Sequence, residues 1–401
     1  VSVPTVQSQG GLYQLDWSDE MVSVRVDRIH TEKTGVFGEV LIRTTSPAMR
    51  PHIHGPVHFN MISTTSRNQL AKHLQTIMEN SWTTILEQLC YKVVEAHRMG
   101  TPTINIASHE MPDRLGMRLN PILQEQQATV FFGDGDSLKS YLSTYLAVLT
   151  NLGMVQNNLL PEPGNVLYLD YETDADTFWE RVNMITAGLN QPLPQGLFYR
   201  HEIESVVNDI TGIKDTVMEH GISLVIIDSA APATVEPEKA EAVIPYFRAL
   251  RSLNTTTLTI AHQTKNVKGE YPFGSTFWRN LPRSNFHIKA DRHEDDVAVS
   301  LKHTKSNNGR RLKPLGFTFA FSEDDVTITT ADPSKYPDLA KDVPLKERIN
   351  ALLLQGALSA KEVANELGEN EKTVQNRLSE GIKLGNYIHL SGKYGIPTRN
   401  E

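Results

Sequence analysis

The densest chemistry in this chain lies in "FFGDGDSLKS", positions 131 to 140. A loop that wraps phosphate with its own backbone N–H groups needs glycine where the chain turns. It also needs a lysine as point charge and a hydroxyl for magnesium, in the spacing G-x-x-x-x-G-K-[ST]. Gly133, Lys139 and Ser140 stand at that spacing, while Leu138 stands where the second glycine belongs. A bulky residue forced into left-handed geometry costs about 1–2 kcal/mol, which leaves the lysine and the helix N-terminus in place. Gly133, Asp134, Gly135, Asp136, Ser137, Leu138, Lys139, Ser140 and Tyr141 are therefore read as a site for ATP, against the plainer reading of a Gly-rich strand-to-helix turn.

Two carboxylates extend that chemistry. "LVIIDS" runs four apolar residues into Asp228, 89 positions beyond Lys139. A carboxylate at a strand terminus can reach the magnesium shell through water, so Ser140 and Asp228 are the expected Mg2+ pair. "LYLDYET" places Asp170 and Glu172 after another apolar strand. Hydrolysis needs a base that orients or deprotonates the attacking water, and Glu172 is the candidate, with Asp170 second. The competing reading is a solvated acid near the N-terminus of the following helix, where the helix dipole favours it.

These residues must be held by strands and helices, and the middle of the chain has the required grammar. From about residue 106, "ATVFF", "NVLYLDY", "ISLVIIDS", "TTTLTIAH" and "FHIKA" alternate with helical stretches. That order builds an α/β domain with a mostly parallel sheet flanked by helices, whose ligands bind at the carboxyl ends of the strands. Before it, "MVSVRVDRIH" and "GEVLIRTT" alternate as a hairpin, and two helical stretches follow, the second stopped by Gly100. Residues 1–105 are thus a small α+β domain of undefined role, and residues 106–332 are the core. "ADPSKYPDLAKDVP", rich in Pro, Asp and Lys, makes 333–344 a linker. Residues 345–401 hold three helices and a short hairpin, "NYIHLSGKYGI".

Composition bounds the possibilities. The chain has 401 residues, enough for two or three domains with separate cores. No apolar run approaches the ~18 residues of a membrane span, so a cytoplasmic protein without membrane contact is expected. The net charge of −8 divides as 0 over residues 1–105 (9 basic, 9 acidic), −9 over 106–340 (21 and 30) and +1 over 341–401 (9 and 8). Any nucleic-acid contact must therefore come from local loops or one helix face. The single Cys90 fits an apolar helix face, and His52, His54 and His58 of "PHIHGPVH" lack the companions of a metal site.

Lys139-Ser140, Glu172, Asp228 and the strand "TLTIAHQTK" together resemble the RecA-like ATPases, nearest the branch of hexameric plasmid replication helicases and DnaB-type helicases, over about residues 106–330. The resemblance implies a DNA-dependent ATP hydrolase of a mobile or phage-like element, assembled as a hexameric ring or a filament on single-stranded DNA, with replication or recombination partners. It implies that His262 or Gln263, ending the sensor strand, meets the γ-phosphate. Lys302, Lys305 and Arg310 would then serve the neighbouring subunit's site. The chain departs from the pattern at Leu138 and in carrying lysines where an arginine finger is often found.

The segment "NVKGEYPFGSTFWRNLPRSNF" offers Lys268, Arg279 and Arg283 as charges and Tyr271, Phe273 and Trp278 as stacking rings. In that family the loop faces the DNA; the alternative is a subunit contact with packed aromatics. The C-terminal segment looks like a winged helix-turn-helix, with "EKTVQNRLSEGIK" as recognition helix and a wing turning at Gly392-Lys393. Lys372, Arg377 and Lys393 would meet DNA, unless the module docks protein. Two alternatives to a motor remain: a nucleotide-switched DNA-binding regulator and an ATP-dependent loader.

Overall fold

The computed structural model describes the chain except residues 101–102, 109–115, 265–269, 294–295 and 398–401. Five antiparallel strands open it, in the order β1 (Thr5–Gln9), β2 (Leu12–Trp17), β3 (Val22–Glu32), β4 (Gly35–Thr44) and β5 (His52–Asn60). The expected hairpin is the β3–β4 pair. Its alternation sends Val22, Val24, Val26, Val40 and Ile42 inward, onto α1 (Thr64–Ile77) and α2 (Trp82–Met99). Ser63 caps α1 by accepting from the Ser66 N–H, and Gly100 ends α2 with φ 59°.

A small sheet of β6 (Met117–Asn120), β7 (Leu123–Gln124) and β9 (Leu160–Pro161) leads into the core. The core strands are β8 (Ala128–Gly133), β10 (Asn165–Asp170), β11 (Leu197–His201), β12 (Ile222–Asp228), β13 (Thr256–His262), β14 (Ser284–His293), β15 (Asp296–Ser306), β16 (Leu315–Phe321) and β17 (Val326–Ala331). Their order is β11-β10-β12-β13-β8-β14-β15-β16-β17. The first six pair in parallel, and β15, β16 and β17 add an antiparallel extension that the strand-helix alternation does not announce.

Helices on both faces make the parallel strands almost wholly apolar. On one face α3 (Lys139–Leu152) and α4 (Ala175–Gly188) cover Val166, Tyr168, Leu224 and Ile226. On the other, α5 (Ile210–Glu219) and α7 (Ala240–Ser252) cover Leu167, Leu169, Val225 and Ile227, with the short α6 (Ala230–Thr234) and α8 (Phe277–Asn280) at its margins. Each such side chain contributes about 1.5–3 kcal/mol by leaving water. The N-terminal sheet is seated on α5: Arg25 pairs with Asp215, Thr211 with Asp27, and Lys214 Nζ donates to the Gly10 carbonyl at 2.7 Å.

Residues 333–344, expected as linker, are packed structure. The turn at Pro333–Lys335 lies against β15 and α9 (Pro337–Ala340) against β14, with Leu339 and Asp342 buried. Their Pro, Asp and Lys content serves caps and ion pairs rather than slack. The C-terminal module has α10 (Leu345–Gln355), α11 (Ala360–Leu367) and α12 (Glu371–Lys383) around Ile349, Val363, Val374, Leu378 and Tyr394. It closes with the hairpin β18 (Ile388–Leu390) and β19 (Lys393–Gly395). The turn falls on Ser391 and Gly392, both at positive φ, and Lys393 begins the return strand. Among the described residues no helix is long and apolar enough to cross a membrane.

Candidate nucleotide site

The loop joining β8 to α3 sits at the carboxyl edge of the parallel strands. Gly133 passes so close to β14 that a Cβ there would stand 2.3 Å from the Ile288 carbonyl oxygen. Leu138 takes the left-handed conformation a glycine would ordinarily supply, φ 54° and ψ 28°, and packs its side chain against the core. Its carbonyl accepts the first bond of α3, from the Leu142 N–H at 2.9 Å. Packing therefore holds the turn despite the missing glycine.

Lys139 is buried and folds back over its loop, donating to the carbonyls of Gly133 (3.3 Å) and Asp134 and to Ser137 Oγ (3.2 Å). Burial pushes its pKa below the usual lysine value, against the pull of Asp228, Glu172, Asp134 and Asp136. An ammonium with only neutral acceptors in direct contact is a site for an anion, and a phosphate fits that need.

Asp228 ends β12 beside it, nearly fully buried. Tyr168 Oη donates to its Oδ2 at 2.7 Å and lies 3.1 Å from Ser143 Oγ on α3. Desolvation raises the Asp228 pKa, while hydrogen bonds from Ser140 and Tyr168 lower it. A hydroxyl and a carboxylate converging in this way are the oxygen donors a hard divalent cation takes, so Ser140 and Asp228 fit magnesium. Burial alone would favour a neutral carboxyl; a cation reverses that preference.

Glu172 faces the same cavity. Ser229 Oγ donates to its Oε1 at 2.5 Å and His262 Nε2 stands 3.8 Å away. The histidine contact, and then the Ser229 hydrogen bond, hold its pKa below the usual glutamate value in spite of burial. It is therefore an ionised acceptor at the pocket wall, the state a general base requires. Asp170, the second suspect, is committed elsewhere: it accepts from the Glu172 N–H (2.9 Å), the Thr173 N–H (3.0 Å) and Thr173 Oγ1 (2.5 Å), building the turn that presents Glu172.

One cavity is thus lined by Gly135, Asp136, Leu138, Lys139, Ser140, Tyr141, Glu172, Asp228 and His262, together with Ser229 and Arg292. Of the two sensor candidates, His262 lies in it. Gln263 instead donates its N–H to the Gly133 carbonyl at 3.1 Å and meets His287 Nε2 through Oε1 at 2.7 Å, on the outer side of the loop with Asp134 and Ser137. Sequence reading missed Tyr168, Ser229 and Arg292. Tyr168 carried a signal, being a polar ring two residues before Asp170 in an apolar strand; Arg292 carried none.

The remaining predicted residues divide. Lys302 Nζ pairs with Glu270 (2.6 Å) and Asp342 (2.9 Å), and Lys289 pairs with the same two acids. Glu270, His287 and Asp342 are close enough to ligate a metal, but two ammonium groups already neutralise that cluster. Lys305 Nζ donates to the carbonyls of Asn280 (2.8 Å) and Pro282 (2.5 Å). Burial, with Arg283 and Arg279 nearby, pushes its pKa down to about 8. Neither lysine lines its own chain's pocket.

Trp278 corrects the stacking reading: it is 1% exposed, packed on Tyr246 and Phe247, with Nε1 donating to the Pro237 carbonyl at 3.0 Å. Tyr271 and Phe273 remain exposed, and the Arg279 guanidinium covers the Tyr271 ring at 4.6 Å. Arg283 is exposed and reaches Gln127. Lys268 lies outside the described residues. On the C-terminal module Lys372 and Lys393 are exposed, whereas Arg377 is paired with Glu380 at 2.7 Å.

Residues 96–267 match a family model described as an AAA domain. The matched stretch contains the loop, Glu172, Asp228 and His262, so the part of the chain that holds the candidate site is the part similar to a P-loop AAA domain. It stops before β14–β17 and the C-terminal module. No curated protein matches the chain. Among solved structures, a KaiC-like protein from the hyperthermophilic archaeon Pyrococcus horikoshii OT3 is similar at 10% identity and a TM-score of 0.39, covering 52% of this chain and 93% of its own.

Proposed function

We propose that the chain is an oligomeric ATP hydrolase acting on DNA, a helicase-like motor or a replication or recombination factor. The observation that carries the hydrolase reading is the convergence of Lys139, Ser140, Glu172 and Asp228 on one cavity at the carboxyl edge of a parallel sheet. Lys139 and the helix N-terminus hold the phosphates, Ser140 and Asp228 hold Mg2+, and Glu172 takes up the proton of the attacking water.

DNA action rests on the resemblance to hexameric helicases and on the cations Arg279, Arg283 and Lys305 near the amino edge of the sheet, where β14 begins. Lys305 and Lys302 also remain the candidates for completing a neighbouring subunit's site. The deciding experiment is ATP turnover with and without single-stranded DNA. Stimulation by DNA supports the motor; turnover indifferent to DNA removes it.

A second reading, the loader or switch, is favoured by the C-terminal module. Its Arg377 is paired with Glu380, and Leu384, Ile388 and Leu390 of the same module are exposed, a composition that suits protein docking better than a phosphate backbone. Truncation after Pro344 keeps the Asp342 ion pairs. A motor then retains DNA-stimulated turnover, whereas a loader keeps basal turnover and loses its partner-dependent activity.

A further inference from the structure

Arg292 lies on β14 beyond the last residue that pairs with β8, Ile288 opposite Gly133, so it overhangs the phosphate loop. Its Nη2 donates to the Asp136 carbonyl at 3.0 Å, and its side chain lines the cavity with Lys139, Glu172 and Asp228. Among the described residues it has no carboxylate partner. The lysines of β14 and β15 are committed: Lys289 and Lys302 to Glu270 and Asp342, Lys305 to two carbonyls. A guanidinium carries five N–H donors in a planar fork matched to phosphate oxygens, and one backbone carbonyl leaves most of them unused.

We propose that Arg292 contacts the phosphate tail of the nucleotide bound in its own chain, so that the site carries an arginine in cis. The inference rests on the nucleotide reading of the loop. It differs from donation by a neighbour, because the residue belongs to the same cavity as Lys139. Arg–phosphate hydrogen bonds are charge-assisted and bidentate, which a lysine reproduces only in part.

The test uses the full-length protein and three probes with magnesium: ATP, ADP and inorganic tripolyphosphate. Arg292→Ala should weaken tripolyphosphate and ATP binding by about ten- to a hundredfold, the scale of one lost hydrogen bond to a charged group. Arg292→Lys should recover part of that loss. Unchanged tripolyphosphate affinity overturns the proposal, including when ATP binding falls, since the residue would then serve the base or sugar. If the wild type binds none of the probes, it is the nucleotide reading itself that fails. Mixing Arg292→Ala with Lys139→Ala subunits, in proportions shown to exchange, should restore no turnover, because every site lacks one of the two; recovery would place the arginine in trans and overturn the assignment.

Discussion

Two loops leave neighbouring strands of one sheet at the same edge, and they behave differently. The loop after β8, Gly133 to Ser140, is built from backbone groups and residues at fixed short spacing, and Lys139 and Ser140 line one cavity with Glu172 and Asp228. The segment after β13, from Gln263 to Arg283, works through side chains whose partners lie far along the chain. There Trp278 is buried under Tyr246 and Phe247, and Glu270 is fastened to Lys289 and Lys302. Spacing specifies a backbone cradle, while a tryptophan or a lysine in a loop has no defined role until its tertiary partners are known.

The largest effect expected in the first loop is at Lys139. Lys139→Ala should abolish Mg-ATP binding or weaken it severely, since the ammonium is the buried charge the anion satisfies. Calorimetry showing wild-type heat in the variant would dissolve the contrast between the loops. In the second segment the largest effect should be on stability instead. Trp278→Ala removes a buried ring and should cost about 3–5 kcal/mol in chemical denaturation. A stable variant with weakened single-strand binding would restore the stacking role that its burial denies.

Glu172→Gln should keep nucleotide affinity while turnover falls by roughly two or more orders of magnitude, the scale of a lost acid–base group. Asp170→Asn would not imitate it cleanly, because that carboxylate shapes the turn. Unchanged turnover in Glu172→Gln would move the base elsewhere.

How much was legible follows the same division. The alternation of Val22, Val24 and Val26 marked the N-terminal hairpin, and apolar strands ending in Asp170, Asp228 and His262 marked the parallel sheet and its functional edge. The antiparallel extension did not show, because β15–β17 are joined by turns that the strand-helix grammar does not foresee. Residues 333–344 looked like a linker because composition records Pro and Asp but not that Asp342 finds Lys289 and Lys302. Arg292 was invisible for a related reason: only the pairing register of β14 on β8 carries it over the loop.

The cations at the amino edge allow a subtler test. Lys305 is held down to about 8 by burial and by Arg283 and Arg279. It is charged below that pH and discharges as pH rises through it. Single-strand affinity should therefore be flat below pH 8 and decline above it, levelling off only above the higher pKa that a bound phosphate gives the lysine. Lys305→Ala should remove this dependence and reduce the logarithmic salt slope by about 1. A decline that persists in the variant assigns it to another group.

The smallest effect should come from Leu138→Gly, which bears most directly on why the first loop survives its departure from the pattern. Glycine relieves about 1–2 kcal/mol of left-handed strain. Against that stand about 0.5–1 kcal/mol of backbone entropy and a share of the roughly 1.5–3 kcal/mol that a leucine contributes when fully buried, reduced here because Leu138 is only half-buried. The terms nearly cancel, so stability should change by no more than about 1 kcal/mol in thermal denaturation. Nucleotide affinity should also stay close to wild type, because neither Lys139 nor the N-terminus of α3 depends on the leucine side chain for its charge. A gain in affinity of tenfold or more would show that Leu138 restrains the loop rather than merely filling it, and the packing that now excuses the missing glycine would become a brake on nucleotide entry.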